Sequence, residues 1–234
     1  MKKHFHILAT TLILTFVLTG CSTKLSQAQQ DEIKTVTVIT PIMEDQKNLI
    51  INPSAKNPGV QDSIGMAGGG LIPSLIGAAI DAGIRSYKKG SFEEKYPEES
   101  KFVSTIKIEN IEENVKKEIT AALKNDDFFA NKLRDNGQYQ VKTKIHSYEL
   151  NKVDELNNEI RFGAAINLIV ELKDTKDSSV FTEYITGTSE EYFNIKELAK
   201  DEQLVHKLFS QAYKKIDFEL STALDKRLGR EHIN

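Results

Sequence analysis

Hydrophobic and polar positions divide this chain into segments of distinct rhythm. Ile7 to Leu18 is apolar, broken only by small Thr residues, and falls short of the about 20 apolar residues a spanning helix needs. Residues 22–33 are polar. Thr35 to Ile42 then places Val36, Val38 and Ile42 at alternate positions, predicting a strand that ends near Pro41. Residues 44–63, punctuated by Asn52-Pro53 and Asn57-Pro58-Gly59, predict a loop. From Ile64 to Ile84 the pattern changes again. Gly65, Gly68, Gly69 and Gly70 lead to Pro73, which suits the first turn of a helix running to Lys88. One face of that helix carries Ile72, Ile76, Ala79, Ile80, Gly83, Ile84 and Tyr87; Ser74, Ala78, Asp81, Arg85 and Lys88 lie opposite, and Gly90 stops it.

The second half reads as a sheet between helices. Ser91 to Ser100 predicts a charged loop, and Phe102 to Ile108 a short strand or extended lead-in. Asn110 and Glu113 have the spacing of a capping box, and Ile111, Val115, Ile119, Ala122 and Leu123 continue a helix to about Lys124. Phe128, Phe129 and Leu133 are candidate core, and Asn136-Gly137 a turn. Tyr139, Val141, Thr143 and Ile145 alternate with polar residues, and Phe162, Ala164, Ile166, Leu168, Val170 and Leu172 do so more clearly. After a polar turn at 174–178, Val180 to Thr188 returns as the antiparallel partner of the preceding strand. A helix from about Asp201 to Leu228 closes the chain, with a stripe through Val205, Leu208, Phe209, Ala212, Ile216, Leu220, Ala223 and Leu224, ended by Gly229. The expected fold is α+β. A small mixed, largely antiparallel sheet of about four to five strands packs against two main helices in one domain over 34–230. The Gly-rich amphipathic helix at about 64–88 is an insertion in it.

The N-terminus changes the picture. Lys2 and Lys3 precede the apolar run, and small residues lead to Cys21, the only cysteine; residues 1–20 read as a cleavable secretory signal. Leu18-Thr19-Gly20-Cys21 resembles the lipobox of bacterial lipoproteins. That resemblance implies a thioether to diacylglycerol on Cys21, cleavage just before it and a further acyl chain on the new N-terminus. The chemistry requires a nucleophilic sulfur, and two or more chains hold a protein at a membrane where one does so only marginally. Ser22, in place of the aspartate that favours inner-membrane retention, implies an outer-membrane lipoprotein facing the periplasm in a Gram-negative host. In a Gram-positive host the outer face of the cell membrane takes its place. Residues 21–33 are then the lipidated cysteine and a flexible leash.

Composition narrows the remaining chemistry. Losing Lys2 and Lys3 with the signal moves the formal charge from −3 to about −5, counting against a nucleic-acid partner. One cysteine permits no internal disulfide. No Cys/His spacing calls for a metal, and no motif calls for a cofactor; the glycines near 65–70 lack the following Lys-Ser or Lys-Thr of a phosphate-binding loop. His146 and His206 read as surface histidines on the polar sides of their elements, and His232 lies in the tail. Asp126-Asp127 and Glu190-Glu191 read as helix-end or loop charges. With no G-x-S-x-G or H-E-x-x-H motif, a non-enzyme is expected. The helix at 64–88 has three readings. It covers the sheet, it contacts membrane or partner through Ile72, Ile76, Ile80, Ile84 and Tyr87, or it spans the membrane; Pro73, Asp81 and Arg85 count against the last.

The order of elements resembles the small α/β domain of the TolB N-terminal type, found also in curli secretion-channel subunits and other envelope lipoproteins. Val36 to Pro41, the helix ending Ala121-Ala122-Leu123 before Phe128-Phe129, and the strand pair 166–174 and 180–188 carry the resemblance. It implies a non-catalytic interaction or assembly module for an export or cell-wall system, binding an envelope protein or itself. Two departures stand out: the helix at 64–88, and the lack of a strand pair with the lipid-facing alternation of a membrane barrel. Three alternatives remain. One is a lipid- or glycan-binding carrier lidded by residues 72–87. Another is a subunit of an oligomeric secretion pore. The third is an enzyme, which a cleft joining His146 or His206 to a carboxylate would favour.

Overall fold

The computed structural model describes residues 24–43, 46, 48–53 and 91–230. Its centre is the hairpin of β4 (Tyr139–Leu156) and β5 (Glu159–Lys173). Asn157 and Asn158 turn the chain between them, with φ of 53° and 60°, the left-handed pair that a two-residue hairpin turn needs and asparagine tolerates. β6 (Ser179–Thr188) and β7 (Phe193–Asn194) pair antiparallel with β5. Along the other side of β4 run three short parallel strands in succession, β1 (Val36–Val38), β2 (Ile42–Met43) and β3 (Ile50–Asn52). The seven strands thus form one mixed, largely antiparallel sheet about four rows wide.

β4 holds its inward face through a change of phase. Tyr139, Val141, Thr143 and Ile145 are buried, and then Tyr148 and Leu150. The register passes from Ile145↔Leu168 to Ser147↔Asn167, so His146 is the extra residue of a bulge that moves the buried set from odd to even positions. Across the edge from that bulge, the Gln46 side chain stands in for a strand. Its Nε2 donates to Tyr148 O at 2.7 Å, and its Oε1 accepts from Tyr148 N at 3.1 Å.

The helices cover one face of the sheet. Four of them are α1 (Gln27–Glu32), α2 (Pro97–Thr105), α3 (Ile111–Asn125) and α4 (Ile195–Lys200). The longest is α5 (Glu202–Leu228), capped by Asp201 and stopped by Gly229 at φ 71°. α5 buries Val205, Leu208, Phe209, Ala212, Tyr213, Ile216, Leu220 and Leu224, and α3 buries Ile111, Val115, Ile119, Ala122 and Leu123. On the opposite face of the sheet the side chains are polar: Thr186 Oγ1 donates to Asn167 Oδ1, and Asn167 Nδ2 donates to Ser147 Oγ and Glu149 Oε1.

The α+β class and both main helices are as the pattern predicts, and five details differ. The strand expected over 35–42 breaks after Val38, and Ile42 is 70 % exposed instead of sharing a buried face with Val36. The expected loop contains β3, whose Ile51 is buried. Residues 91–95 and α2 are helical where a loop and an extended segment are expected. There Phe92, Tyr96, Ser100 and Val103 are buried at helical spacing, and Pro97 suits a first turn. Asn110 has φ 54° and makes no side-chain cap, because a left-handed residue turns its side chain away from the first amides. Finally, the polar stretch read as a leash is docked from Leu25 onward: Leu25 and Ile33 are buried, Ser26 and Gln29 form a capping box, and Leu25 N donates to Arg227 O at 2.7 Å.

The expected signal, Cys21 and the helix at 64–88 with Ile72, Ile76, Ile80, Ile84 and Tyr87 lie outside the described residues. Among the described residues no helix is long and apolar enough to cross a membrane.

Candidate functional site

A cavity of about 250 Å³ opens between the start of α3 and the first half of α5, lined by Ile108, Glu109, Asn114, His206, Phe209, Ser210 and Tyr213. The four α5 residues stand at i, i+3, i+4 and i+7, a stripe at the edge of the buried face that takes Phe209 and Tyr213 from it and His206 and Ser210 from the flank. Phe209 forms the apolar floor, fully buried, with its ring edge-on to Tyr148 at 6.1 Å. His206 is half-buried and Ser210 exposed, at the rim. From the other side, the left-handed Asn110 sets how the chain enters α3, and Ile108, Glu109 and Asn114 line the cavity around that turn.

Tyr213 is the unusual member. It is 8 % exposed, and its hydroxyl is buried with no hydrogen bond of good geometry, although the Asn114 amide lies close enough to act on it. Burial pushes its phenol up to about 12, against a smaller opposing pull from Asn114. Burial likewise raises the neighbouring Tyr148 phenol. The Tyr213 hydroxyl therefore keeps its proton at any physiological pH, and it lies enclosed beside Asn114 rather than open to the cavity.

The other polar groups, Asn114, His206 and Ser210, each carry both donor and acceptor capacity. Glu109 is the one carboxylate among the described lining residues, and no lysine or arginine joins it. His206 and Glu109 share the cleft but form no hydrogen bond or ion pair with each other, and Ser210 forms none with His206. The arrangement offers a mouth of hydrogen-bonding groups over an aromatic floor, without a nucleophile–base pair.

The histidines separate. His206 belongs to the cavity, while His146 sits exposed at the β4 bulge. Glu191 is a loop charge as expected, with its pKa lowered by the Lys207 hydrogen bond. Asp126 stands at the end of α3, as the helix-end reading has it, and it is also buried, its carboxylate accepting from Phe128 N, Phe129 N and Arg230. Asn114, Ser210 and Tyr213 are not singled out by the sequence reading. The available signal is the stripe His206-Phe209-Ser210-Tyr213, polar and aromatic residues together on the flank of an apolar face. Among the described residues no group of three or more His, Cys, Asp or Glu side chains is placed to hold a metal ion.

No protein-family model matches the chain, and no curated protein matches it. Among solved structures it is similar to a Xanthomonas campestris protein of the DUF330 family, at 12 % identity and a TM-score of 0.39, over 80 % of this chain and 81 % of that one. It is also similar to a Caulobacter crescentus protein provisionally described as a lipoprotein, at 15 % identity and a TM-score of 0.25, over 49 % of this chain and 83 % of that one. At these scores neither neighbour assigns a family or an activity to the chain.

Proposed function

We propose that this chain is an envelope lipoprotein, anchored through acylated Cys21, that acts as a non-catalytic interaction or assembly module in an export or cell-wall system. In a Gram-negative host the body faces the periplasm from the outer membrane. The lipobox at Leu18 to Cys21, followed almost at once by a docked chain, carries this reading. Leu25 comes four positions after Cys21 and is buried against the end of α5. Four residues reach at most about 14 Å, so the anchor holds the body close against the lipid surface. The C-terminal end of α5 is then membrane-proximal, and the cavity near its other end lies roughly 30 Å away, at 1.5 Å of helix per residue between His206 and Arg227. An anchored body meets membrane-bound partners at raised local concentration, so a modest contact surface suffices. The partner is an envelope protein or a second copy of the chain.

Two experiments test this in the native envelope. Exchanging residues 1–21 for an ordinary secretory signal is expected to move the protein from the membrane to the soluble envelope fraction. Continued membrane retention contradicts the anchor. Photoreactive residues at Ile76, Ile80 and Ile84 are expected to crosslink to another envelope protein or another copy. Crosslinks confined to the same chain contradict a partner surface there.

A further inference from the structure

We propose that the outer edge of β6 docks a second copy of this chain, the two β6 strands pairing antiparallel across a two-fold axis. β6 ends the sheet, and among the described residues its one strand neighbour is β5. Ser189 N donates to Ala164 O, which makes Ala165↔Thr188 a non-hydrogen-bonded pair. The register runs unshifted from there to Phe181, so the N–H and C=O groups of Thr188, Thr186, Tyr184 and Thr182 turn away from β5. Arg227 agrees with this at one end, where its Nη2 donates to Thr182 O at 3.0 Å. Among the described residues nothing pairs with the outward N–H and C=O of Tyr184 and Thr186. An edge of this kind is a template for one more strand.

Three features select a copy of the same chain. Folded monomers blunt a long edge with lysine, proline, a bulge or brevity. The opposite edge is broken into β1, β2 and β3, two or three residues each. β6 instead has ten residues, none of them lysine, arginine or proline, and its one charge, Glu183, lies on the helix side against Arg227. Next, the solvent-side row of Thr182, Tyr184, Thr186 and Thr188 is uncharged, and Tyr184 in its middle is 72 % exposed. Paired with its own copy, the strand sets Thr and Tyr beside Thr and Tyr, good cross-strand neighbours with no like charges opposed. Finally, α5 packs on both β6 and β5, which sets its axis about half a strand spacing inside the edge. With strands about 4.8 Å apart, two copies bring their α5 axes to about 10 Å, the spacing of packed helices. A bare extended peptide would gain the same ladder without that helix contact. The inference deepens the self-association arm of the proposed function, and rests on that reading only in that a tether raises local concentration for a modest interface.

The test combines crosslinking in the native envelope with hydrogen exchange of the full mature chain in detergent. A photoreactive residue at position 184 is expected to crosslink to residues 180–188 of a second copy. Exchange of the Tyr184 and Thr186 amides is expected to slow as protein concentration rises, while the Glu183 and Ile185 amides, bonded to β5, are protected throughout. Tyr184→Lys brings like charges close to the two-fold axis and should weaken the dimer about tenfold, at an unchanged thermal midpoint. Tyr184→Phe keeps the ring and should keep the dimer. The proposal is overturned if the Tyr184 and Thr186 amides exchange freely at every concentration, or if Tyr184→Lys leaves self-association unchanged. Crosslinks from position 184 to a different protein, or to another face of the second copy, overturn it equally. Exchanging residues 1–21 for an ordinary secretory signal removes the anchor alone. The concentration-dependent protection is expected to persist in the released chain, so the anchor and the β6 pairing fail separately.

Discussion

Asp126 shows how much of this fold rests on single buried contacts. Its side chain is 4 % exposed, Oδ1 accepts from Phe128 N at 2.9 Å and Phe129 N at 3.1 Å, and Oδ2 pairs with Arg230. Asp126→Ala would take away the side-chain acceptor of the Phe128 and Phe129 amides and one of the two carboxylates that Arg230 meets, the other being Asp225. The substitution is expected to cost about 2–4 kcal/mol, read as a lower urea midpoint, with Asp126→Asn losing less because one acceptor oxygen remains. The sequence could not reveal this role, because an Asp-Asp pair after a helix has the look of solvated charge and the arginine it meets lies 104 positions away. Tyr213 is another residue whose role only packing discloses. Its phenol is raised from 10.0 to about 12 in the folded chain, so its contribution to stability is complete below pH 10 and is lost as pH rises through about 12. Circular dichroism against pH should show alkaline destabilisation in that window, smaller in Tyr213→Phe.

At the scale of elements, the contact between α5 and β6 is a close-packed seam. Gly187 faces α5 so closely that an added Cβ would run into Ala212 O and come within 2.7 Å of Ile216 Cγ1. Helix backbone cannot give way as a flexible side chain would. Gly187→Ala is therefore expected to lower stability by about 1–3 kcal/mol through overpacking, seen as a depressed thermal midpoint without loss of helix content. α5 itself is fully legible in the sequence, because Asp201, the long apolar stripe and Gly229 agree on its start, face and end. α2 is legible only in retrospect. The four-residue rhythm of Phe92, Tyr96 and Ser100 is masked by the Glu and Lys that surround it, and charge density draws the eye to a loop. β4 runs well past Ile145, where its legible alternation stops, because the bulge at His146 shifts the phase of a strict two-residue rhythm. The cavity was hardly legible: His206 reads as a surface histidine on the polar side of its helix, and Glu109 and Asn114 reach it from another element through tertiary packing.

At the scale of the molecule, the short link between Cys21 and Leu25 would make the proposed anchor an orienting device. A polar leash of a dozen residues would let the body wander, whereas docking from Leu25 onto the end of α5 would, with the proposed anchor on Cys21, hold that end near lipid. Spin-labelled lipid headgroups should accordingly broaden the NMR signals of Lys24 and Arg227 and spare those of His206 at the far end of the helix. Uniform broadening along α5 would mean that the body lies flat or tumbles freely. The anchor underlies that orientation and the proposed function alike, and intact-mass spectrometry of the protein extracted from native membranes addresses it directly. The expected product begins at Cys21, and its N-terminal peptide carries a diacylglyceryl group and an additional acyl chain on that cysteine. A chain that keeps residues 1–20, or one that begins elsewhere with an unmodified Cys21 thiol, would contradict the anchored lipoprotein.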